Sequence, residues 1–361
     1  MKKLLISLLF AVVLPQHTTA QTHAWDLREC CTYAVEHNIS IKQRENSREQ
    51  REFQLSTAKN ARLPDLNASA SESFSFGRGL TLDNTYTNRS TSSTGFSLGT
   101  SVPLFTGFQI PNTVKLNQLN LEAATHDLEK AKNDIRMQVA QAYVQILYNM
   151  EIADVAHRQI DIDSAQVVRL QAFVDNGKAS QAQLSQQQAT LAKAKLTATQ
   201  ADNTLQLSLL SLSQLLELPS PEGFTIVRPS LTSHLLTYSP SHLPSPDAIY
   251  QEALSIKPEV QAEQLRLTAS ERSIDIAKAG LYPTLSLSAG LQTNYYKTNG
   301  MQAESFASQM KNNFSQYIGL NLSVPIFNRF QTRNNIRSAR LDRENQVLQL
   351  DNVKKSLYKE I

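Results

Sequence analysis

The stretch Ser-Val-Pro-Leu-Phe-Thr-Gly-Phe-Gln at 101–109 returns 222 positions later as Ser-Val-Pro-Ile-Phe-Asn-Arg-Phe-Gln at 323–331, with six of nine positions identical. Upstream the similarity continues at an offset of 219, pairing Ala34 with Ala253, Ile41 with Val260 and Pro64 with Pro283. The second copy therefore carries three additional residues between Pro283 and Pro325, where a loop is expected. A repeat of this size is a duplicated supersecondary unit, well beyond the periods of roughly 20 to 50 residues that build solenoids. The fold has to be made from two versions of one pattern.

That pattern is legible from periodicity. Residues 26–62 contain neither Pro nor Gly and stop at Leu63-Pro64, which predicts a helix. The period then changes to two: Leu66, Ala68, Ala70, Phe74 and Phe76 alternate with Asn and Ser, and Glu72 is the one break. Phe96, Leu98, Thr100, Val102 and Leu104 form a return strand, so a β-hairpin is set at 63–105 with a polar tip loop over 77–95. Pro103 and Phe105 mark the corner back to helix. Helices are expected at 112–173 and 180–218. Their apolar residues step by three and four, through Leu128, Ile135, Val139, Ile146, Asn149 and Ala153 in one and Leu191, Ala194, Ala198, Leu205 and Leu212 in the other. Joined by a short turn containing Gly177, they read as an antiparallel coiled-coil hairpin.

Residues 21–218 thus form a first repeat, and 219–246, with six of the chain's thirteen prolines, form a linker or equatorial region. Residues 247–361 repeat the design with a helix at 247–280, a hairpin at 283–327, a corner at Pro325 and Phe327, and a helix at 331–361. By the offset, a second helical turn falls near position 399, so this copy reads as truncated. Gly107 against Arg329 is expected to make the two corners inequivalent.

Lys2 and Lys3 precede an apolar run from Leu4 to Leu14, and Thr18-Thr19-Ala20 offers a cleavage site, so residues 1–20 read as a secretory signal peptide. The run is too short to span a membrane as a helix, and no later segment supplies one. A mature protein seated in a membrane must therefore use β-strands. Cys30 and Cys31 are the only cysteines and are adjacent, so no disulfide framework is expected. The spacing from Leu27 to Cys30 is that of a lipoprotein signal, but Arg28 and Glu29 stand where small residues are needed, and a helix face is preferred.

Lys and Arg number 35 against 32 for Asp and Glu, which leaves no basic surface for nucleic acid. The seven histidines have no metal-ligand spacing, and Gly177-Lys178-Ala179-Ser180 lacks the leading glycine of a phosphate loop, since position 172 is Ala. Asp161 and Asp163 lie on a helix without the turn of a calcium loop and read as a solvated face. Nothing points to catalytic residues, a cofactor or a metal, and the expectation is that the chain is not an enzyme.

Strands with one apolar and one Ser, Asn and Thr face fit either a half-buried soluble sheet or a barrel with lipid outside and water within. The helices already use their apolar stripes on each other and are too long to fold back over a sheet. Tyr86, Tyr295, Tyr296, Phe314 and Tyr317 near the strand ends favour the barrel and the bacterial outer membrane. Two hairpins give four strands, and a water-filled barrel needs more than eight, so several chains must share one barrel.

At this point the elements "ARLPDLNASAS", "SVPLFTGFQ", "AGLYPTLSLSAG" and "SVPIFNRFQ", in duplicate order, resemble the outer-membrane efflux protein family of trimeric exit ducts, over about residues 24 to 361. The resemblance implies an α+β membrane protein, with coiled-coil helical hairpins forming an α-barrel below a shared transmembrane β-barrel of 12 strands. It also implies a homotrimer in outer-membrane lipid, a periplasmic adaptor, and an inner-membrane pump of the proton-driven (RND) or ATP-driven (ABC) type. "FVDNGKASQAQL" is similar to the family's helical tip, so the resemblance places Gly177, Ser180 and Gln183 at an adaptor contact. Gln183 stands where the family commonly has Asp. Two rival readings are a periplasmic adaptor scaffold, which would carry its hairpin once, and an enzyme on a coiled-coil scaffold.

Overall fold

The computed structural model describes residues 24–80, 84–229 and 244–361. The expected signal peptide lies outside these residues, as do positions 230–243 of the linker. The chain divides into two units, one made of residues up to Lys42 with Lys132–Ser239, the other of Gln43–Ala131 with Pro240–Ile361.

In chain order the elements are β1 (Ala24–Trp25), α1 (Leu27–His37), α2 (Ile39–Asn60), β2 (Asn67–Leu80), β3 (Tyr86–Thr106), α3 (Gln109–Asp175), α4 (Gln181–Leu215), β4 (Thr225–Ile226), α5 (Pro246–Ile256), α6 (Pro258–Ala279), β5 (Thr284–Thr298), α7 (Phe306–Asn312), β6 (Ser315–Ser323) and α8 (Gln331–Glu360). At 67 residues, α3 amounts to about 100 Å of helix.

The first unit is a helical hairpin with a small collar. Val139, Ile146, Ala153 and Ala156 of α3 are buried, as are Leu184, Ala194, Ala198, Ala201 and Leu212 of α4. Ala153, Ala156, Ala198 and Ala201 form one cluster, where alanines let two helix axes approach closely. Asn149 is buried in the same seam and accepts from Gln145 Nε2 at 3.1 Å. Asp163 is not on a solvated face. It is 6% exposed, and it accepts from Gln159 Nε2 at 3.1 Å and from Gln187 Nε2 of α4 at 3.2 Å.

The collar escapes a periodicity reading because its strands are two residues long: β1 pairs in parallel with β4. Tyr143 Oη donates to the Val227 carbonyl at 2.6 Å, and Arg228 pairs with Asp154 at 2.7 Å. The Arg228 hydrogen bond holds the Asp154 carboxyl below its usual range. The stability this gives is present above the ordinary carboxylate pKa and is lost as pH falls through the depressed value.

The single helices expected at 26–62 and 247–280 are each broken. Asn38 and Lys257, 219 positions apart, leave the helix at φ −61°, ψ 130° and φ −68°, ψ 124°. Pro258 explains the second break, because the residue before a proline is pushed out of the α region. Asn38 explains the first: its Nδ2 donates to the Leu215 carbonyl at 3.0 Å and its Oδ1 accepts from Ser40 N at 2.9 Å.

In the second unit α6 and α8 pack through Val260, Leu350 and Leu357, with Tyr250 and Leu267 against them. Arg343 of α8 donates to Glu271 of α6 at 3.1 Å. The same unit holds a four-stranded antiparallel sheet in the order β2-β3-β5-β6. The tip loop expected over 77–95 is much shorter, since β2 and β3 pair as far as Leu80↔Tyr86. Polar Ser and Thr residues that look like loop in sequence are the outer half of β3, paired with β2 throughout and, from Thr91 inward, with β5 as well.

Cys30 sits fully buried on α1, and burial, reinforced by the charges of Cys31, Glu29 and Asp26, pushes its thiol up to about 12. Because the folded value is raised, the stability from keeping this thiol neutral is complete below its ordinary value and fades as pH rises toward the folded one. In the folded protein at pH 8, Cys30 is expected to resist iodoacetamide while Cys31 reacts slowly, both reacting at once in denaturant; mass spectrometry of the alkylated peptides reads this, and equal folded-state rates would contradict it.

Candidate functional site

Strand pleat separates the sheet into two chemically different faces. On one, Val102 pairs with Leu287 and Leu287 with Leu320; Thr100 pairs with Ala289 and Ala289 with Ile318. On the other, Ser69 pairs with Ser97 and Ser97 with Gln292, while Ser101 pairs with Ser288. Ser69 and Ser97 hydroxyls meet at 2.7 Å. Along β6 the apolar face is uncovered among the described residues, with Ile318 76% exposed, Leu320 67% and Leu322 64%, and α7 reaches only its outer end, where Phe306 meets Tyr295. Covering a Leu or Ile side chain is worth about 1.5–3 kcal/mol, so this face demands an apolar solvent or partner.

The face has limits. From Leu285 to Tyr295 along β5 is ten residues, which at about 3.3 Å each and a tilt of roughly 40° gives a band about 25 Å tall. Glu72, the break in the sequence alternation, lies at the Tyr295 level, since both pair with Thr94. Its carboxylate accepts from the hydroxyls of Ser92, at 2.8 Å, and Thr94. Beyond it the same side carries Phe74 and Phe76 on β2, opposite Ser92 and Ser90, and Lys297 on β5, so the aliphatic band gives way at this level to exposed aromatic and polar side chains, with Glu72 among them.

Aromatic residues mark the other rim, at the corners. Pro103 and Phe105 frame a bulge where β3 slips by one residue against β5. Gly107 and Phe108 follow with φ of 61° and 65°, and Arg329 and Phe330, 222 positions on, take φ of 54° and 62°. Phe105 meets Phe108 edge-on at 5.3 Å, and Phe327 meets Phe330 edge-on at 5.6 Å. At these two positions the expected inequivalence is not seen: each corner takes two successive left-handed residues despite the Gly-to-Arg change. Glycine is required at 107 because a Cβ there would lie 2.6 Å from the Ala279 carbonyl oxygen and 2.9 Å from Tyr282 Cβ. Arg329 instead holds a left-handed conformation that costs a non-glycine residue about 1–2 kcal/mol.

One difference between the corners is real. The return strand expected to run through Val324 and Ile326 ends as β6 at Ser323, whereas β3 continues to Thr106 because Pro103–Thr106 pairs with β5. Residues 324–326, Pro325 among them, have no such neighbour among the described residues, and Phe327 follows this unpaired segment.

At the far end of α3, Gly177 has φ 64° and ends the helix by a double closure: Lys178 N donates to the Phe173 carbonyl at 2.8 Å and Gly177 N to the Val174 carbonyl at 2.9 Å. Ser180 then caps α4. Its Oγ accepts from Gln183 N at 3.3 Å, and Gln183 Oε1 accepts from Ser180 N at 3.0 Å. Ser180 and Gln183 thus form a reciprocal capping box directly after the Gly177 helix end, and all three residues are exposed. Leu184 beneath them is buried.

Among the described residues no group of His, Cys, Asp or Glu is arranged to hold a metal, and no helix is long and apolar enough to cross a membrane.

The family model described as outer membrane efflux protein matches residues 32–217 and 249–361. The fusaric acid resistance protein FusA of Burkholderia cepacia is 31% identical over 171 residues, covering 46% of this chain and 30% of its own length. The outer membrane efflux protein BepC of Brucella suis is 24% identical over 291 residues, covering 79% of this chain and 57% of its own. The chain thus spans between 30% and 57% of the length of these two relatives. The solved structure of CusC, a protein that forms a transmembrane channel, superposes with a TM-score of 0.74 at 16% identity, over 92% of this chain and 73% of that one. The shared fold is one of long helices and an antiparallel sheet.

The corners make opposite predictions. Gly107→Ala should lower stability by more than about 1 kcal/mol, through strain and the Ala279 clash, and Arg329→Gly should raise it by about 0.5–1 kcal/mol. Thermal unfolding in detergent measures both; shifts of the same sign would contradict the shared backbone path.

Proposed function

The chain belongs to the outer membrane efflux protein family, and we propose that it is an outer-membrane exit duct, a passive conduit for substrates handed over by an inner-membrane pump and a periplasmic adaptor. The observation that carries this reading is the sheet: an exposed apolar face of about membrane height, a hydroxyl-lined opposite face, and two strand edges, β2 and β6, with no partner among the described residues.

Four strands cannot enclose water, so the duct is a homotrimer whose barrel has 12 strands. A second feature favours copies of the same chain. On α3, Met137, Val144, Tyr148, Ile152, Val155 and Ile162 are exposed at steps of three, four and seven, a second apolar stripe beside the one that packs on α4. Neighbouring helical hairpins cover it in a periplasmic tube.

The exposed tip at Gly177, Ser180 and Gln183 is the surface offered to the adaptor. Gln183 serves there as a capping residue, so the contact rests on the rigid turn rather than on a carboxylate. The duct supplies no chemistry, and selectivity belongs to the pump, of the RND or ABC type. The adaptor reading is disfavoured by the repeated strand pair, and the enzyme reading by the family match.

Membrane fractionation and detergent extraction of the protein test this. It should appear in the outer membrane and run as a heat-modifiable trimer on a mild SDS gel, and it should open stable ohmic conductances in planar bilayers. A monomer in the periplasmic fraction with no conductance would overturn the reading.

A further inference from the structure

The two hairpins share one register. Moving β2 by 219 positions and β3 by 222 turns Asn67↔Gly99 into Ser286↔Asn321, Ala68↔Leu98 into Leu287↔Leu320, and Ala70↔Phe96 into Ala289↔Ile318, all of them observed pairs of β5 with β6. The same shift carries the helix break from Asn38 to Lys257 and the first corner onto the second. The repeat is therefore geometric, down to individual hydrogen-bonded neighbours.

The chain also contains one junction between hairpins, β3 with β5. It leaves open the two edges, on β6 and β2, that would make the next such junction. Backbone groups on these edges cannot remain bare in lipid. Applying the same offsets to the observed β3–β5 junction specifies its missing counterpart. We propose that β6 pairs antiparallel with β2 of a second copy in the transposed register: Ser101↔Ser288 becomes Ser323 opposite the partner's Ser69, and Gly99↔Gly290 becomes Asn321 opposite the partner's Ser71. This rests on the trimeric reading above and adds the alignment of its seam.

The register satisfies the chemistry on both faces. Leu322 comes opposite the partner's Ala70 and Val324 opposite the partner's Ala68, continuing the apolar band, while Ser323 and Asn321 meet serines on the wet side. It also gives the unpaired segment 324–326 a neighbour, as Pro103–Thr106 has in β5. One departure follows at the corner. Gly107 admits the Ala279 carbonyl so closely that no Cβ fits, whereas Arg329 carries a side chain at the equivalent place, so the seam is wider there than the junction inside the chain.

Cysteine pairs on the wet face read the register directly, in a background with Cys30→Ala and Cys31→Ala. Ser69→Cys with Ser323→Cys, and Ser71→Cys with Asn321→Cys, should give covalent dimers and closed trimers on non-reducing gels after oxidation by air with copper phenanthroline. The crossed combinations, Ser71→Cys with Ser323→Cys and Ser69→Cys with Asn321→Cys, stand one diagonal step apart at about 7–8 Å and should link at least about tenfold less. Either matched pair suffices should the other fail to assemble. Preferential linking of a crossed pair, or no linking in protein that still runs as a trimer before oxidation, overturns the register alone; a monomer before oxidation overturns the trimeric reading with it.

Discussion

The backbone hydrogen bond at a strand edge is the constraint on which the rest of this molecule depends. Water can satisfy an open edge, but hydrocarbon cannot, and each unmet amide or carbonyl there costs several kcal/mol. The sheet order β2-β3-β5-β6 leaves two such edges. The apolar face beside them is equally unable to stay in water. A chain with both features is a segment of a wall, complete only when copies close on one another. The early end of β6 is the local sign of this, because the residues that continue β3 are held by β5 and their counterparts after Ser323 have no strand partner among the described residues.

Duplication supplies the pieces that closure needs. Matching corners convert strand to helix, each by two successive left-handed residues and an edge-on phenylalanine pair. Broken helices at Asn38 and Lys257 bend the chain at equivalent points, one through a buried asparagine bonded to the end of α4 and the other through proline. Different residues thus reach the same backbone geometry.

Much of this was readable beforehand, for physical reasons. Alternation with period two located both hairpins because their side chains face different solvents, and steps of three and four located the α3 and α4 seam because one helix face is buried. Gly177 was legible because a helix end needs a left-handed residue. What escaped was held by tertiary contacts. Asn38 breaks a helix only because the Leu215 carbonyl lies within reach; Asp163 is buried only because Gln187 arrives from α4; the Ser-rich half of β3 is strand only because β2, and from Thr91 inward β5, pair with it. The two-residue collar strands are too short to carry any period. Gly107 against Arg329 misled in the other direction, since a backbone can take the same path with and without a Cβ if strain is accepted.

The central claim is that one sheet face meets lipid and the other water. Spin labels at successive positions 284–291, in protein reconstituted into bilayers, test it most directly. Relaxation by oxygen, which concentrates in lipid, should peak at Leu285, Leu287, Ala289 and Leu291, and relaxation by a water-soluble nickel chelate should peak at Ser286, Ser288 and Gly290. Accessibility without a two-residue alternation, or with the chelate favouring the leucines, would contradict the account.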